Sequence, residues 1–401
     1  MTRAAVLLLL ILLTEAGTSQ AQLPTVRGYY LNVGLWSDSA LYSSGGLFEI
    51  NRLRVMSRPA VGPLFLDVAY EHVFSWSERS GAGASGSILG AIVPSGGEWA
   101  DLGWTLEESD HVLWRHRFDR LSLAWSPIDI LEITIGRQTI SWATTLLLTP
   151  TDPFVPFDPS DPFREYRAGV DALRVQVFPS PLSELDFVLR PTKTEVAVLG
   201  EDTTTLTLLA RGRTTWKGWE ISAWAGALHD EPAAAVGTTG GIGSLALRGE
   251  ASLREDNDDL KFRGTVGVDT RIEAFDRDLY LVFEYQHDGL GASSASDLAR
   301  VFESDPFARG ELQTLGRDVA VGQASYQLHP LASAQLLVLW NLNDGSALLA
   351  PAASYSVTNE ARARAGLFWG IGSDDVTPEG FPRSEFGPVS VIFYGSLSIF
   401  F

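Results

Sequence analysis

The chain has 401 residues, of which 45% are apolar and 20% carry a charge, a mixture that can bury a large core and argues against disorder. Its 49 acidic and 30 basic residues give a formal net charge of −19, which disfavours nucleic acid as a partner because phosphate groups need a basic surface. The absence of cysteine excludes disulfides, thiolate metal sites and cysteine nucleophiles. The six histidines are scattered, so we expect no metal and no cofactor.

The N-terminal segment has the pattern of a secretory signal peptide. Arg3 precedes an apolar run over residues 4–13, and the segment ends on small residues suited to cleavage. The alternative is a transmembrane helix, but Glu15 interrupts the run well short of the roughly 18 to 20 residues that a helical span requires. We predict a signal peptide over residues 1–21, followed by a single domain over residues 22–401.

The rest of the chain alternates between apolar and polar residues with a period of two. Between Leu245 and Leu253 every odd position is apolar or small, and the pattern returns over residues 261–272. Such alternation predicts strands with one apolar side and one side that faces water. The same pattern recurs over residues 131–135, 173–177, 206–216, 219–227, 279–285, 336–342, 363–369 and 389–401.

The connections between these strands have two lengths. Short turns such as 126–129 and 216–219 alternate with long loops such as 77–110 and 289–316. Short turns at one rim and long loops at the other are typical of outer-membrane barrels, and closure removes the sheet edges that a bilayer does not tolerate. A soluble β-protein is the alternative, but the outward residues here are Leu, Val, Ala, Gly and aromatic rather than charged. We therefore predict an all-β, transmembrane antiparallel β-barrel with short periplasmic turns and long extracellular loops, in a Gram-negative outer membrane.

The number of strands follows from the spacing of the turns. Counting from Val26 gives about eighteen strands if residues 233–239 form a weak strand and Gly240, Gly241 and Gly243 form a turn; sixteen is the alternative count. Aromatic rings prefer the two membrane interfaces, so aromatic residues near the predicted strand ends indicate two girdles. These residues are Trp125, Phe178, Trp216 and Trp219 toward the short-turn rim, and Trp76, Trp340 and Trp369 toward the other.

The last strand, over residues 389–401, ends on Phe401 and has apolar or small residues at every second position before it. It resembles the C-terminal assembly signal of bacterial outer-membrane proteins. The resemblance implies that the barrel-insertion machinery reads Phe401 and its strand, and an unclosed barrel offers a free edge for such pairing. The alternative is an ordinary final amphipathic strand.

A second resemblance is local. Gly136-Arg137-Gln138, followed by residues 150–154 and 166–174, is similar to the Gly-Arg-Gln region of porin-like barrels of the alginate-export and related uncharacterised families. The resemblance implies a large single-chain barrel that conducts a solute. The segment after the long loop departs from the alginate-export pattern, so export of that polysaccharide is not implied.

Strand parity assigns a set of arginines to the water-facing side. Arginine presents fixed donors suited to carboxylate and phosphate, which predicts a channel for small anionic or polar solutes. The alternative is that these arginines pair with acids on adjacent strands, as Arg248 or Arg263 would with Glu250 or Asp269. The predicted pore-lining residues are Arg52, Arg54, Arg120, Arg174, Arg211, Arg213, Arg248, Arg263, Arg271, Arg362 and Arg364.

A loop over residues 149–163 carries three Asp-Pro steps, which stiffen the chain and disfavour helix. We expect a rigid, extended loop, with three alternatives for its role: it narrows the lumen, it binds calcium through Asp152, Asp158 and Asp161, or it is a plain surface loop. The residues predicted for the constriction are Asp152, Asp158, Asp161, Arg164 and Arg167.

The predicted function is passive passage of a small solute, with outer-membrane lipid and the insertion machinery as further partners. A structural or adhesive barrel without transport is one alternative, because long loops often carry function. An outer-membrane hydrolase is another, but none of the six histidines is associated with a serine or acid set, so no enzyme is expected. The sequence leaves the oligomeric state open.

Overall fold

The computed structural model describes most of the predicted barrel domain. The predicted signal segment 1–21 lies outside the described residues, as do Asp158 and Arg164. Within the described residues, no helix is long and apolar enough to cross a membrane. The described residues are 25–39, 45–79, 97–154, 161, 163, 166–196, 201–257, 259–378, 380–389 and 391–401.

Among the described residues, twenty antiparallel strands form one sheet, and the helices are short and lie in one loop. The helical segments are a 3₁₀ turn at Ala295–Asp297, α1 at Leu298–Phe302 and α2 at Asp305–Ala308. The strands are β1 (Val26–Ser37), β2 (Gly46–Ser57), β3 (Ala60–Val61), β4 (Leu64–Ser77), β5 (Gly103–Glu108), β6 (Val112–Ile128), β7 (Leu131–Gln138), β8 (Val170–Ser180), β9 (Ser183–Val196), β10 (Glu201–Trp216), β11 (Trp219–Leu228), β12 (Glu231–Ile242), β13 (Leu245–Asp256), β14 (Asp259–Ala274), β15 (Arg277–Asp288), β16 (Asp318–His329), β17 (Ala332–Asn341), β18 (Ala347–Ser356), β19 (Ala361–Ile371) and β20 (Ile392–Phe400).

The sheet closes into a barrel because its first and last strands pair. β1 and β20 are joined from Tyr29 opposite Phe400 to Ser37 opposite Ile392. β3 pairs only with β4 and β5 only with β6, so neither belongs to the ring. The ring therefore has eighteen strands, and the predicted closed antiparallel barrel is confirmed.

Tight turns join the strands at the rim where β1 begins and β20 ends. Lys217 and Gly218 both have positive φ, and so do Phe275 and Asp276. Two-residue turns of this kind match the right-handed twist of the flanking strands.

One part of the turn prediction was wrong. Gly240 and Gly241 continue β12 and pair with β13, and the turn begins at Gly243. Gly240 is a glycine because the indole of Trp219 lies directly over it: a Cβ atom there would sit 2.2 Å from Trp219 Cδ2.

The opposite rim carries connections of very different length. His229 and Asp230 alone join β11 to β12, whereas four connections are long. One of them runs from β4 to β6 and includes β5. We call the other three loop I (residues 139–169), loop II (residues 289–317) and loop III (residues 372–391).

The outer wall of the barrel is largely apolar. Val236, Val266 and Phe283 are 60%, 62% and 54% exposed, while the alternating residues Thr265 and Glu284 are buried on the inner side. An apolar outer band of this kind is what a hydrocarbon environment requires of a barrel. The indoles of Trp125 and Trp216 lie near the short-turn rim, and those of Trp340 and Trp369 lie near the other rim.

Closure at the C-terminus generates a first prediction. The backbone N–H of Gly28 donates to the Phe401 carbonyl at 2.8 Å, and the Phe401 N–H donates to the Gly28 carbonyl at 3.0 Å. Deleting Phe401 removes this pair of hydrogen bonds and the phenyl side chain. We therefore expect much less inserted barrel although the amount of protein synthesised is unchanged. Heat-modifiable migration on gels measures the inserted fraction. Phe401→Tyr keeps both hydrogen bonds and an aromatic side chain, and this variant should insert normally. Normal insertion of the truncated chain would contradict the role given to Phe401.

Candidate functional site

The lumen contains loop I, which a buried carboxylate on β15 holds in place. Glu284 is fully buried and accepts three consecutive backbone N–H groups, those of Leu146 at 2.7 Å, Leu147 at 2.9 Å and Leu148 at 2.8 Å. A buried carboxylate is costly unless its oxygens are hydrogen-bonded, and bonds to a charged acceptor contribute about 1.5–3 kcal/mol each. The loop backbone and Glu284 therefore stabilise each other.

A second carboxylate, Glu250 on β13, binds the same loop on both sides of the segment that Glu284 holds. Glu250 is 5% exposed and accepts the backbone N–H groups of Thr144 at 2.8 Å, Thr145 at 3.2 Å and Thr151 at 3.4 Å. Loop I leaves the wall at β7 and returns at β8, whereas its two anchors lie on β13 and β15. The loop therefore crosses the lumen.

Apolar side chains hold loop I against two further parts of the wall. Ile140, Trp142 and Phe154 pack against the inner face of β8–β12. Leu148 and Phe163 pack against the inner face of β1 and β16–β20. The indole N–H of Trp142 also donates to a carboxylate oxygen of β9 at 3.0 Å. Loop I is thus fixed on opposite sides of the lumen, as the constriction alternative requires.

Loop II is hydrogen-bonded to loop I through Gln313. The Gln313 side chain accepts from the Thr149 N–H at 2.5 Å and donates to the Leu147 carbonyl at 2.8 Å. Glu311, also in loop II, is buried beside Arg254 and Arg309. Burial opposes its ionisation, but the two guanidinium groups outweigh burial and hold the pKa of Glu311 well below its usual value. Loop II is therefore tied to β13 by a buried ion pair.

Loop III is attached to loop II and β17 through Glu385. This carboxylate accepts the backbone N–H groups of Leu315 at 2.7 Å and Gly316 at 3.1 Å, and the Asn341 amide at 2.8 Å. Burial, helped by the negative charge of Asp344, raises the pKa of Glu385 to about 7 despite these bonds. The three loops are thus connected to one another at the rim that carries the long connections.

All of the predicted pore-lining arginines lie on strand positions whose side chains face inward, and most of them are ion-paired. Arg54 is buried between Glu71 and Asp119. Arg248 or Arg263 was expected to pair with Glu250 or Asp269: Arg248 does pair with Asp269, whereas Arg263 pairs with Asp288, which lies directly opposite it on β15. Further pairs are Arg174–Asp186 at 2.5 Å, Arg213–Glu184 at 2.6 Å, Arg248–Asp269 at 2.9 Å and Arg271–Asp278 at 3.8 Å.

Two of the predicted arginines lie against aromatic rings of loop I instead. Arg120 stands 5.8 Å from the centre of the Tyr166 ring, and Arg211 stands 5.8 Å from that of Trp142. Neither forms an ion pair within the described residues. Their positive charge therefore faces the lumen without a directly bonded carboxylate, although Glu184, Glu220 and Asp186 lie near Arg211.

The other predicted arginines make mixed contacts. Arg52 donates to the Phe163 carbonyl of loop I at 3.2 Å, and Arg364 donates to Gln335 at 2.9 Å. Arg362 lies over the Phe400 ring, 5.6 Å from its centre. These contacts bring Arg52 to loop I and keep Arg362 and Arg364 along the wall.

The Gly-Arg-Gln motif has a structural role that the sequence did not assign. Arg137 is buried and donates to Asp171 at 2.8 and 2.9 Å and to Glu98 at 2.7 Å. Gly136 has φ of 111°, and a Cβ atom there would sit 2.4 Å from the Leu121 carbonyl oxygen. The motif therefore ties β7 to β8 and to the loop before β5. Its acidic partner at position 98 is too distant in sequence to have been recognised.

The constriction residues make contacts within loop I. Asp152 accepts from Ser141 at 2.9 Å and pairs with Arg167 at 2.7 Å, so its carboxylate is already occupied. Asp161 accepts the Phe163 N–H at 2.8 Å. In the part of the chain that the structure describes, no group of three acidic or histidine residues is placed to hold a metal ion. Asp152 and Arg167 therefore act as an internal brace of the loop.

Other inward-facing charges were missing from the sequence prediction. Arg117 pairs with Glu71 at 2.9 Å, and Arg254 pairs with Glu311. Arg254 directly follows the alternation predicted over residues 245–253, so that pattern could have indicated its inward direction. No alternation was predicted for the segment that contains Arg117. Their partners come from a different strand and from loop II.

The anchor on β15 generates a second prediction. Glu284→Ala leaves three loop N–H groups facing the wall without an acceptor, so loop I should lose its fixed position. We expect a larger or noisier single-channel conductance in a planar bilayer, and a smaller change for Glu284→Gln, which retains one acceptor oxygen. Wild-type conductance and noise in Glu284→Ala would show that loop I does not depend on this carboxylate.

The attachment of loop III generates a third prediction, on pH. Because the pKa of Glu385 is raised in the folded protein, its contribution to stability is fully present below its ordinary value of 4.5 and is lost as the pH rises through about 7. Channel fluctuations should therefore increase across this interval. Glu385→Gln stays neutral and should have fluctuations that no longer change with pH. An unaltered pH profile in that variant would exclude Glu385 as the titrating group.

Comparison with known proteins places this barrel among solved porins. No protein-family model and no curated protein matches the chain. A BenF-like porin from Pseudomonas fluorescens Pf-5 superposes with a TM-score of 0.55 at 11% identity, covering 96% of this chain and 99% of that one. OccAB1 of Acinetobacter baumannii gives 0.57 at 10% identity, with 96% and 99% covered.

A third solved structure agrees with these two. OpdK, an outer membrane protein of Pseudomonas aeruginosa, gives a TM-score of 0.52 at 11% identity, covering 94% of this chain and 99% of that one. At such identities the likeness establishes the fold alone. The resemblance to alginate-export families stays a prediction. The porin-like barrel predicted from the sequence is confirmed, and the chain has the fold of the outer-membrane porins.

Proposed function

We propose that the chain is an outer-membrane channel for small polar solutes, and that it prefers anions. Support for a channel comes from the closed barrel, its apolar outer band and the loop that crosses its lumen. Support for the location comes from the similar structures, which include a porin and a protein described as an outer membrane protein. No catalytic role is proposed.

The anion preference depends on one observation: Arg120 and Arg211 face the lumen without an ion pair among the described residues. Most other inward arginines are neutralised by a nearby carboxylate. The net charge of −19 does not oppose this preference, because loop charges farther than a Debye length of about 8 to 10 Å are screened at physiological salt. The field inside a narrow lumen is set by the charges of its own wall.

A small carboxylate is the class of solute that fits these groups. Each free guanidinium offers donors for a carboxylate, and each lies beside an aromatic ring that could contact an apolar solute body. One of the similar structures is OpdK with vanillate, which is such a carboxylate. The alternative, a structural or adhesive barrel, predicts no solute-dependent conductance.

The anion preference generates a fourth prediction. Replacing Arg120 and Arg211 together by glutamine removes two lumen charges that form no ion pair among the described residues. We expect the reversal potential in a salt gradient to shift toward cations, most strongly at low salt, where screening is weakest. Arg58→Gln is the matched control for either single replacement, Arg120→Gln or Arg211→Gln, because it also removes one positive charge, at a turn where the side chain is 75% exposed.

Two outcomes would contradict parts of this proposal. A cation-selective wild-type channel with no response to the Arg120 and Arg211 replacements would remove the anion preference and leave the channel. A folded, inserted chain with no conductance at all would remove the channel and favour the structural alternative.

A further inference from the structure

Arg211 has an acidic residue directly opposite it on the neighbouring strand and yet does not pair with it. The register places Asp186 of β9 opposite Arg211 on one side and Trp224 of β11 opposite it on the other. Opposite charges at directly opposed positions usually attract each other across two strands. Arg263 behaves in this way, because Asp288 is both its opposite residue and its partner. Arg211 forms no ion pair among the described residues, so something prevents it from reaching Asp186.

The carboxylate of Asp186 is buried and already occupied. Both of its oxygens accept Nε–H of Arg174 at 3.0 Å, and Oδ2 also accepts Nη2–H of Arg174 at 2.5 Å. Oδ2 further accepts the indole N–H of Trp142, which belongs to loop I, at 3.0 Å. A carboxylate group offers about four lone-pair positions, and these hydrogen bonds use them. Asp186 therefore has no acceptor position left for Arg211.

The indole that binds Asp186 also contacts Arg211. The guanidinium carbon of Arg211 stands 5.8 Å from the centre of the Trp142 ring. Trp142 is 2% exposed, and its position is fixed by the rings of Phe154 at 5.0 Å and Trp224 at 6.3 Å. One side chain of loop I thus touches both members of a potential ion pair, the acid through its N–H and the cation through its ring.

The contact with the ring is the weaker of the two interactions open to Arg211. A charged donor gains more from a hydrogen bond to a carboxylate than from an aromatic face. Arg211 is 8% exposed, and its Nε is buried without a hydrogen-bond acceptor among the described residues. A free acceptor position on Asp186 would therefore attract this guanidinium.

We propose that Trp142 is a positioning residue that keeps Arg211 available to anions in the lumen. The indole occupies one acceptor position of Asp186 and holds the guanidinium against its ring, and both contacts oppose the cross-strand ion pair that the register favours. The role requires no contact between Trp142 and a solute, because it acts through Arg211. The inference rests on the proposed anion preference and deepens it by naming the side chain that maintains one of the two charges.

Trp142→Phe tests this role, because it keeps an aromatic ring and removes the indole N–H. Asp186 then regains an acceptor position, and Arg211 is the charged donor directly opposite. We expect the two residues to pair and the anion preference to fall, measured as the reversal potential in a salt gradient. Since one of two lumen charges is neutralised, the loss should be roughly half of that caused by replacing Arg120 and Arg211 together.

A second background separates this role from simple packing of loop I. Asp186→Asn keeps an acceptor oxygen for the indole but removes the negative charge. Adding Trp142→Phe to Asp186→Asn should leave the reversal potential of that variant unchanged, because no carboxylate remains opposite Arg211.

Trp224→Phe is the matched control. It makes the same substitution in a ring that also adjoins Arg211, but the Trp224 indole forms no hydrogen bond within the part of the chain that the structure describes. We expect a reversal potential near that of the wild type. Heat-modifiable migration on gels verifies that each variant inserts.

A crystal structure of the Trp142→Phe variant gives a readout that does not depend on conductance. A guanidinium nitrogen of Arg211 should lie within about 4 Å of a carboxylate oxygen of Asp186, the distance of an ion pair. A guanidinium that keeps its wild-type position would overturn the proposal. An equal loss of anion preference from Trp142→Phe in the wild-type and Asp186→Asn backgrounds would also overturn it, since that result indicates a general change of loop I.

The failure of the proposed function has a different signature. If Arg211→Gln leaves the reversal potential unchanged, Arg211 does not contribute to an anion preference. The position of Arg211 in the Trp142→Phe structure then still decides whether Trp142 keeps it apart from Asp186.

Discussion

The interior of this barrel depends on two buried carboxylates that accept backbone N–H groups. Glu250 and Glu284 together receive six such groups from loop I, and without these bonds both the acids and the loop backbone would be buried with unsatisfied polar atoms. The energetic need is mutual, which explains why a loop without regular secondary structure holds one position across the lumen. Loop II is attached to loop I through Gln313, and loop III is attached to loop II through Glu385.

The same principle organises the charges of the inner wall. A guanidinium group that is partly removed from water loses hydration, and a neighbouring carboxylate, carbonyl or aromatic face offsets that cost. Most inward arginines have such a neighbour. Arg54 with Glu71 and Asp119 joins β2 to β4 and β6, and so stiffens the wall rather than serving a solute. Arg120 and Arg211 differ because their neighbours are rings of loop I. The loop that crosses the lumen thus also provides the aromatic rings that lie beside these two arginines.

The outer wall is subject to the opposite requirement. Hydrocarbon favours Leu, Val, Phe and Ala and penalises every polar group that it cannot satisfy. Most outward positions comply, and the sector around Glu49 and His72 is the exception. Its internal hydrogen bonds lower the cost of exposure.

Much of the fold was predictable from the sequence, because alternation with a period of two states directly which side of a strand faces apolar surroundings. Turn residues marked the strand ends and gave the count of eighteen. The error at Gly240 has a specific cause: glycine marks turns, but it also occurs where a ring such as that of Trp219 packs onto a strand. Only the cross-strand contact distinguishes the two uses.

The sequence by itself determined the closed all-β barrel and the inward direction of its arginines, since both follow from local periodicity. Only the tertiary structure decided the partner of each charge. Arg263 pairs with Asp288, which the register of β14 and β15 places directly opposite it. Glu250 instead accepts from Thr144 and Thr145, more than a hundred residues away in the chain. Parity fixes the side to which a residue points, but it contains no information on which loop will enter the lumen. That choice depends on the burial of unsatisfied polar groups after the barrel has closed.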